Sequence, residues 1–440
     1  MKPRFLWTTL LLLGAGMSGC EDGRQVPPNA RASFIHAAPS QGPIDVRRGE
    51  SLEAELNYKD SVTTLFNVDV YNFHFEITPA GTTEAERPVS FTHEMVAATD
   101  YTFVATEIDG QFQQLVLETP SFDSDSTNVQ LASLHVAPTL GAVDIFLEAP
   151  DADILSAIPL GTLSFTEALA PRTVDAGVYE FIVTEAANPS SVLLRSIAFT
   201  LSAGASVLFS VIDGTNEGLA PLAITASGDA TASFVDRNLQ SGVRVISAVS
   251  DRSTLDVGID AEFSPPLFPG LTFGTVSDYT LIEPGTHNLT ASPAGNPSVL
   301  TVDFPFTATA GALGTFFIAN AAGAPTLTFP IDDTRPIAGE AKLSIYNAAQ
   351  LFVSVDAFIA PPGTDLGTIL PTSGLSPGGT TSGIPLVTGD FELTIRGGGT
   401  NNVLAGPTPI TLVAGGFYGI LITDSVGGAT VDVALLDDFN

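Results

Sequence analysis

Four stretches of this chain open alike and keep one internal spacing, and that repetition restricts the fold more than any other feature. The openings are Phe34-Ile35-His36-Ala37-Ala38-Pro39, Ser133-Leu134-His135-Val136-Ala137-Pro138, Val245-Ile246-Ser247-Ala248-Val249 and Ile345-Tyr346-Asn347-Ala348-Ala349. Each places an aspartate nine residues after its polar position: His36 to Asp45, His135 to Asp144, Ser247 to Asp256, Asn347 to Asp356. The polar positions stand 99, 112 and 100 residues apart. That period is about twice that of a propeller blade, and a unit of this length can bury a core of its own.

Within each copy the apolar period is two. Tyr71, Phe73, Phe75 and Ile77 alternate with Asn72, His74 and Glu76, and the same alternation returns at Tyr179-Phe181-Val183, His287-Leu289-Ala291 and Phe391-Leu393-Ile395. Such alternation sends one side-chain set into a core and the other into water. The 41 glycines and 31 prolines recur every few residues and break up long helices. The sequence therefore predicts an all-β chain of tandem antiparallel β-sandwich domains of immunoglobulin-like shape, with about seven short strands per copy. The copies are expected at 31–122, 129–227, 241–333 and 340–440, as beads joined by short linkers near Pro120–Asn128, Ser227–Gln240 and Asp332–Gly339.

Ahead of the repeats stands the chain's only cysteine. A basic start (Lys2, Arg4) and an apolar stretch from Phe5 to Gly16 lead through Met17-Ser18-Gly19 to Cys20. Basic then apolar is the order of a secretory signal, and the run is too short for a comfortable membrane span, which needs about 20 residues. Small residues ending in cysteine resemble the lipobox of bacterial lipoproteins, which implies a signal peptide over 1–19 and diacylation of Cys20. Residues 20–30 would then be a lipid anchor and tether. Two or more acyl chains give stable membrane residence where one does not. If the cell is Gram-negative, Glu21 after the cysteine fits sorting to an outer membrane or cell surface.

Loss of residues 1–19 removes two cations and no acid, taking the formal net charge from −32 to −34. Charge of that sign and size repels nucleic acid, so none is expected as a partner. The single tryptophan, Trp7, lies in the signal, which leaves little for stacking on sugars or bases.

The openings, with Ile44-Asp45-Val46, Phe273-Gly274-Thr275-Val276-Ser277-Asp278-Tyr279 and Pro284-Gly285-Thr286, resemble the bacterial domain-of-unknown-function family numbered 4397. The resemblance runs over residues 31–440, although the third and fourth copies lack the His-Ala-Pro opening. It implies an exported, often lipid-anchored or wall-associated envelope protein with no established activity.

The His–Asp pairs are where catalysis or metal binding would be sought. Serine and asparagine stand in the histidine position of the last two copies, and neither replaces imidazole as a base or zinc ligand. The shared role expected of His36, Asp45, His135, Asp144, Ser247, Asp256, Asn347 and Asp356 is therefore hydrogen bonding that fixes a loop. Asp123 and Asp125, and the Asp109-Gly110 and Asp213-Gly214 turns, lack the spacing of a calcium loop and read as turn chemistry. Gly397-Gly398-Gly399 reads as a hairpin turn. No catalytic residue, metal or cofactor is expected. The role expected is a non-catalytic structural or adhesion-like one at the cell envelope, with an envelope protein or glycan as partner. A carbohydrate-binding or enzyme-associated surface protein is the alternative.

Overall fold

The computed structural model describes residues 29–438 apart from 49–50, 68–71, 80–88, 123, 125, 215–217, 250–252, 300–301 and 322–323. The signal segment, Cys20, Tyr71, Asp123 and Asp125 lie outside the described residues, which contain strands, turns and bends but no helix.

Unit 1 sets the plan. Its strands are β1 (Asn29–Ala37), β2 (Ile44–Arg48), β3 (Ser51–Leu56), β4 (Ser61–Asn67), β5 (Asn72–Pro79), β6 (Val89–Glu94), β7 (Thr99–Ile108) and β8 (Gln111–Pro120). Two four-stranded sheets result, ordered β4-β1-β7-β8 and β3-β2-β5-β6. Pairing is antiparallel except between β1 and β7, which run parallel with Phe34 opposite Phe103. The chain changes sheet after β1, so it returns to β1's far side running the same way.

The other three units repeat this order. Their first strands, Asn128–His135, Ser241–Ala248 and Glu340–Asn347, each pair in parallel with the strands Ser206–Asp213, Leu313–Ala321 and Phe417–Asp424. Each unit thus holds at least eight strands, one more than the turn signals predict. Each also closes a core between its two sheets. In unit 1 that core includes Ala32, Phe34, Ile44, Val46, Tyr101 and Phe103. In unit 4 it includes Leu343, Ile345, Ala357, Leu393 and Ile420.

The expectation of separate beads needs correction. The first strands are buried on both faces. Ala32 and Phe34 point into the unit 1 core, while Ile35 and Ala37 form a second cluster with Leu134, Val136, Leu208 and Ile212 of unit 2. Units 3 and 4 meet in the same way through Ile246, Phe317, Tyr346 and Leu421. The reason is compositional: toward the end of each of these strands apolar residues stand in both phases, as at Phe34-Ile35, Val245-Ile246 and Ile345-Tyr346, the mark of a sheet covered on both sides. The chain is therefore two face-to-face pairs, 1 with 2 and 3 with 4.

The predicted linkers are structural. In the first, Ser121 donates to Asp100 at 2.6 Å. In the second, Arg237 bridges Asp151 and the fully buried Glu180, and Asp236 accepts the Arg195 N–H. The third joins the pairs. Arg335, 5% exposed, donates to the carbonyls of Pro39 at 2.8 Å and Gln41 at 2.6 Å, and lies 4.8 Å from the Tyr58 ring centroid. Beside it the Ala338 N–H donates to Ser40 O, Gly218 N–H donates to Thr334, and Leu219 N–H donates to Gly311 O. Gly218 has φ +74°, and a Cβ there would stand 2.2 Å from Gly311 O, so only glycine fits this junction.

Truncating the seam separates the two architectures. Leu134→Ala should destabilise the chain by about 2–4 kcal/mol in urea unfolding, as Leu131→Ala in the unit 2 core should. A Leu134→Ala cost below about 0.5 kcal/mol, the value for an exposed face, would mean that the seam is not formed.

Candidate functional site

The repeated polar position ends the first strand of every unit and faces three elements. In unit 1 the Ala38 N–H donates to His36 Nδ1 at 3.3 Å, so that nitrogen carries no proton, and Nε2 donates to Gly42 O at 2.9 Å. His135 does the same with Ala137 at 3.2 Å and Gly141 O at 3.0 Å. Asn347 reproduces the pair with an amide: Oδ1 accepts from Ala349 N–H, and Nδ2 donates to Leu375 O, both at 3.0 Å. Ser247 departs from the expectation. Its Oγ is buried and has no hydrogen-bond partner among the described residues, because one short hydroxyl cannot span the two sites that imidazole or amide reaches.

The carbonyl of the same residue holds a second turn. It accepts from Lys59 N–H in unit 1, and from Thr166, Gly274 and Gly378 N–H in the others, at 2.7–2.9 Å. All four donors have positive φ: 73° at Lys59, 70° at Thr166, 77° at Gly274 and 78° at Gly378. The glycine of Phe273-Gly274 marks this left-handed position, which Lys59 and Thr166 occupy at a cost.

An acid closes the loop from the seventh-strand side. Glu107 accepts from Ser40 N–H at 3.0 Å and Oγ at 2.5 Å, and Asp213 accepts from Thr139 N–H at 3.3 Å and Oγ1 at 2.5 Å. Asp424 accepts from Gln350 and Leu351 N–H. Reading Asp213-Gly214 as simple turn chemistry is thus corrected: Asp213 is fully buried and holds another loop. Burial raises its pKa against the Thr139 bonds. Asp109-Gly110 is a true hairpin turn, with φ 53° and 70° between β7 and β8.

Among the described residues no hydrogen bond joins His36 to Asp45 or His135 to Asp144; the second-strand aspartates hold other loops. Asp144 accepts from Ala187 N–H at 2.7 Å, Asp256 from Gly295 at 2.8 Å, and Asp356 from Gly399 at 2.8 Å. Each donor lies in the hairpin after the fifth strand, again with positive φ. In unit 1 Asp45 pairs with Arg47 at 2.8 Å. The nine-residue spacing therefore links two independent loop clamps.

The loops of units 1 and 2 converge beneath the Arg335 segment. Pro39, Ser40, Thr139, Leu219, Pro221 and Pro336 line a cleft of about 560 Å³. Its hydroxyls are turned toward Glu107 and Asp213, so the cleft presents a largely apolar, proline-rich wall. Among the described residues no group of three or more His, Cys, Asp or Glu side chains could hold a metal ion.

Burial, reinforced by Arg335, lowers the His36 pKa to about 4 against the opposing Gly42 bond. Burial also lowers that of His135, opposed by Gly141, Asp213 and Glu167. A folded pKa below the unfolded one means that the unfolded chain takes the proton first. The neutral imidazole's contribution is complete above pH 6.5 and is lost as pH falls toward 4, on the order of 3 kcal/mol for His36. Urea unfolding between pH 7.5 and 5 should show about 2 kcal/mol of that loss, and His36→Asn, less stable at pH 7.5, should flatten it; a flat wild-type profile would count against the neutral tautomer. Thr166→Gly should gain about 1 kcal/mol by relieving the left-handed backbone; a loss on thermal unfolding would refute that strain.

Comparison with known proteins agrees with the repeat. The family described as a domain of unknown function, DUF4397, matches residues 30–146 and 241–358, together more than half of the chain. Each match runs through one whole unit and the first strand of the next, and stops within its second strand. Among curated proteins none matches. Two solved structures are similar in part. One is the family CBM26 module CBMbc from Eubacterium rectale Amy13K in complex with maltoheptaose, at 12% identity and TM-score 0.16, covering 46% of this chain and 98% of that one. The other is the Bacillus anthracis TIE protein, at 9% identity and TM-score 0.16, covering 89% and 67%. At that score neither likeness bears on function. Motif, repeat spacing and matched regions agree: the chain belongs to the DUF4397 family.

Proposed function

We propose a non-catalytic structural or binding protein of the cell envelope, tethered to its membrane by lipid on Cys20. The observation that carries the non-catalytic part is the equivalence of His36, His135 and Asn347. Both imidazole nitrogens are engaged by backbone groups, and in unit 4 an amide keeps the bond to the N–H two residues on and sends its donor to Leu375 O of the third strand. A position that tolerates this exchange is a loop brace. The carboxylates that surround it are likewise bonded to loop N–H groups.

The large exposed hydrophobic side chains are all aliphatic among the described residues, as at Ile158, Val353, Leu370 and Val426. Aliphatic tips on stiff loops suit contact with protein better than stacking on sugar rings, which uses aromatic faces. The basic-then-apolar order before Cys20 supports the tether.

Mass spectrometry of the N-terminal peptide should find Cys20 as the first residue, carrying diacylglycerol; a free thiol there would remove the tether. Affinity capture from envelope extracts, run beside a glycan array, should return a protein partner whose binding survives His36→Asn. Binding to one defined glycan with no protein partner would replace this reading with the carbohydrate-binding one. Loss of binding in a folded His36→Asn chain would contradict the brace.

A further inference from the structure

Arg335 grips the loop that His36 shapes. Its two acceptors, Pro39 O and Gln41 O, lie between Ala38, whose N–H His36 Nδ1 accepts, and Gly42, whose carbonyl accepts from Nε2. The Tyr58 ring stands edge-on to His36 at 5.6 Å and carries the Arg335 guanidinium at 4.8 Å on the same ring. Tyr58 OH also donates to Asp213 O at 2.7 Å, which ties the seam with unit 2 to the same point.

Adding a proton to His36 puts an N–H at Nδ1, facing the Ala38 N–H. One of the two must turn away, and the Pro39–Gln41 carbonyls move with the loop. The new cation also meets the charges that pack around it. Arg335 comes from the segment between units 3 and 4, and Lys59 from the turn before β4, its Nζ 5.6 Å from the Tyr58 ring. Asp60 contributes its backbone carbonyl to His36 N–H. Of the acids, Glu107 is bonded to Ser40, Asp213 to Thr139, and Asp333 to the Arg335 N–H and Lys342. The nearest cation opposes the imidazolium, and these carboxylates are directed at other donors.

We infer that protonation of His36 unlatches the two pairs: mild acid deforms the Ala38–Gly42 loop, releases Arg335, and frees units 3 and 4 from units 1 and 2. The units themselves stay folded, because none of the residues from Ala38 to Gly42 belongs to a core or to a within-pair seam, although the unit 1–unit 2 seam borders the junction at Ala37 and Tyr58. The latched imidazole titrates at about 4 and a released one at the ordinary 6.5, so the junction weakens progressively as pH falls between those values.

Amide hydrogen exchange by NMR on the full chain tests it, because exchange reports openings too rare to populate. The Ala338 and Leu219 amides bond across the junction, to Ser40 O and Gly311 O, and the Phe103 amide lies in the unit 1 core strand. After correction for intrinsic rates, protection at Ala338 and Leu219 should fall together, about tenfold per pH unit from 6.5 to 5. Phe103 should stay protected. His36→Asn, or His36→Gln if that variant does not fold, should remove the pH dependence. Arg335→Met should lower Ala338 and Leu219 protection at pH 7.5 while Phe103 stays the better protected of the three. The inference fails if wild-type protection at the junction is flat, if Ala338 falls without Leu219, or if the junction amides are as protected as Phe103 at every pH, which would mean that they exchange only by unfolding of unit 1. The same fall in a folded His36 variant would assign the effect to carboxylates and overturn it too, as would an Arg335→Met chain unchanged at pH 7.5.

Discussion

Everything else in this molecule rests on a sheet that water reaches from neither side. The first and seventh strands of each unit carry apolar side chains in both phases, so one face closes the unit's own sandwich and the other must find a neighbour. Phe34 and Ile35 show the division within two residues: the first stacks on Phe103 inside the unit, and the second meets unit 2. Once both faces are committed, pairing is obligatory. Only the outer sheets and the loop ends remain to be covered or exposed.

Polar groups caught in such a sheet must be satisfied locally, since water cannot do it. That is the physical sense of the braces. His36, His135 and Asn347 sit at the point where the chain leaves a doubly covered sheet, and each satisfies backbone groups that the change of direction strands. Ser247 is the instructive departure: unit 3 keeps the fold with a hydroxyl that lacks a partner among the described residues. The arrangement therefore tolerates loss of the brace in one copy, as expected when packing supplies most of the stability.

Much of this was legible in the residues. Period-two alternation at Tyr179-Phe181-Val183 gave the sandwich face, and the regular openings gave the four units. The pairing was legible too, in stretches such as Val129 to Ala137 and Val243 to Val249, where neither phase is polar throughout. The destination of the second-strand aspartates was not legible, because Ala187, Gly295 and Gly399 lie 39 to 43 residues downstream and only the sheet order brings them near. Nor could composition show that Asp332–Gly339, polar and carrying proline and glycine, would be a buried joint. Its Arg335 meets carbonyls nearly 300 residues away in the chain, which no local pattern encodes.

The parallel registry of β1 has a mechanical meaning. The chain enters unit 1 at Asn29, and a pull on that end acts along β1, which is hydrogen-bonded over most of its length to β4 on one side and β7 on the other. Load is then shared by both ladders in shear, so many bonds must yield at once. A hairpin pulled at its open end would peel one rung at a time. Unit 1 is thus built to resist tension applied at its N-terminal end, and the same registry recurs in the three units behind it.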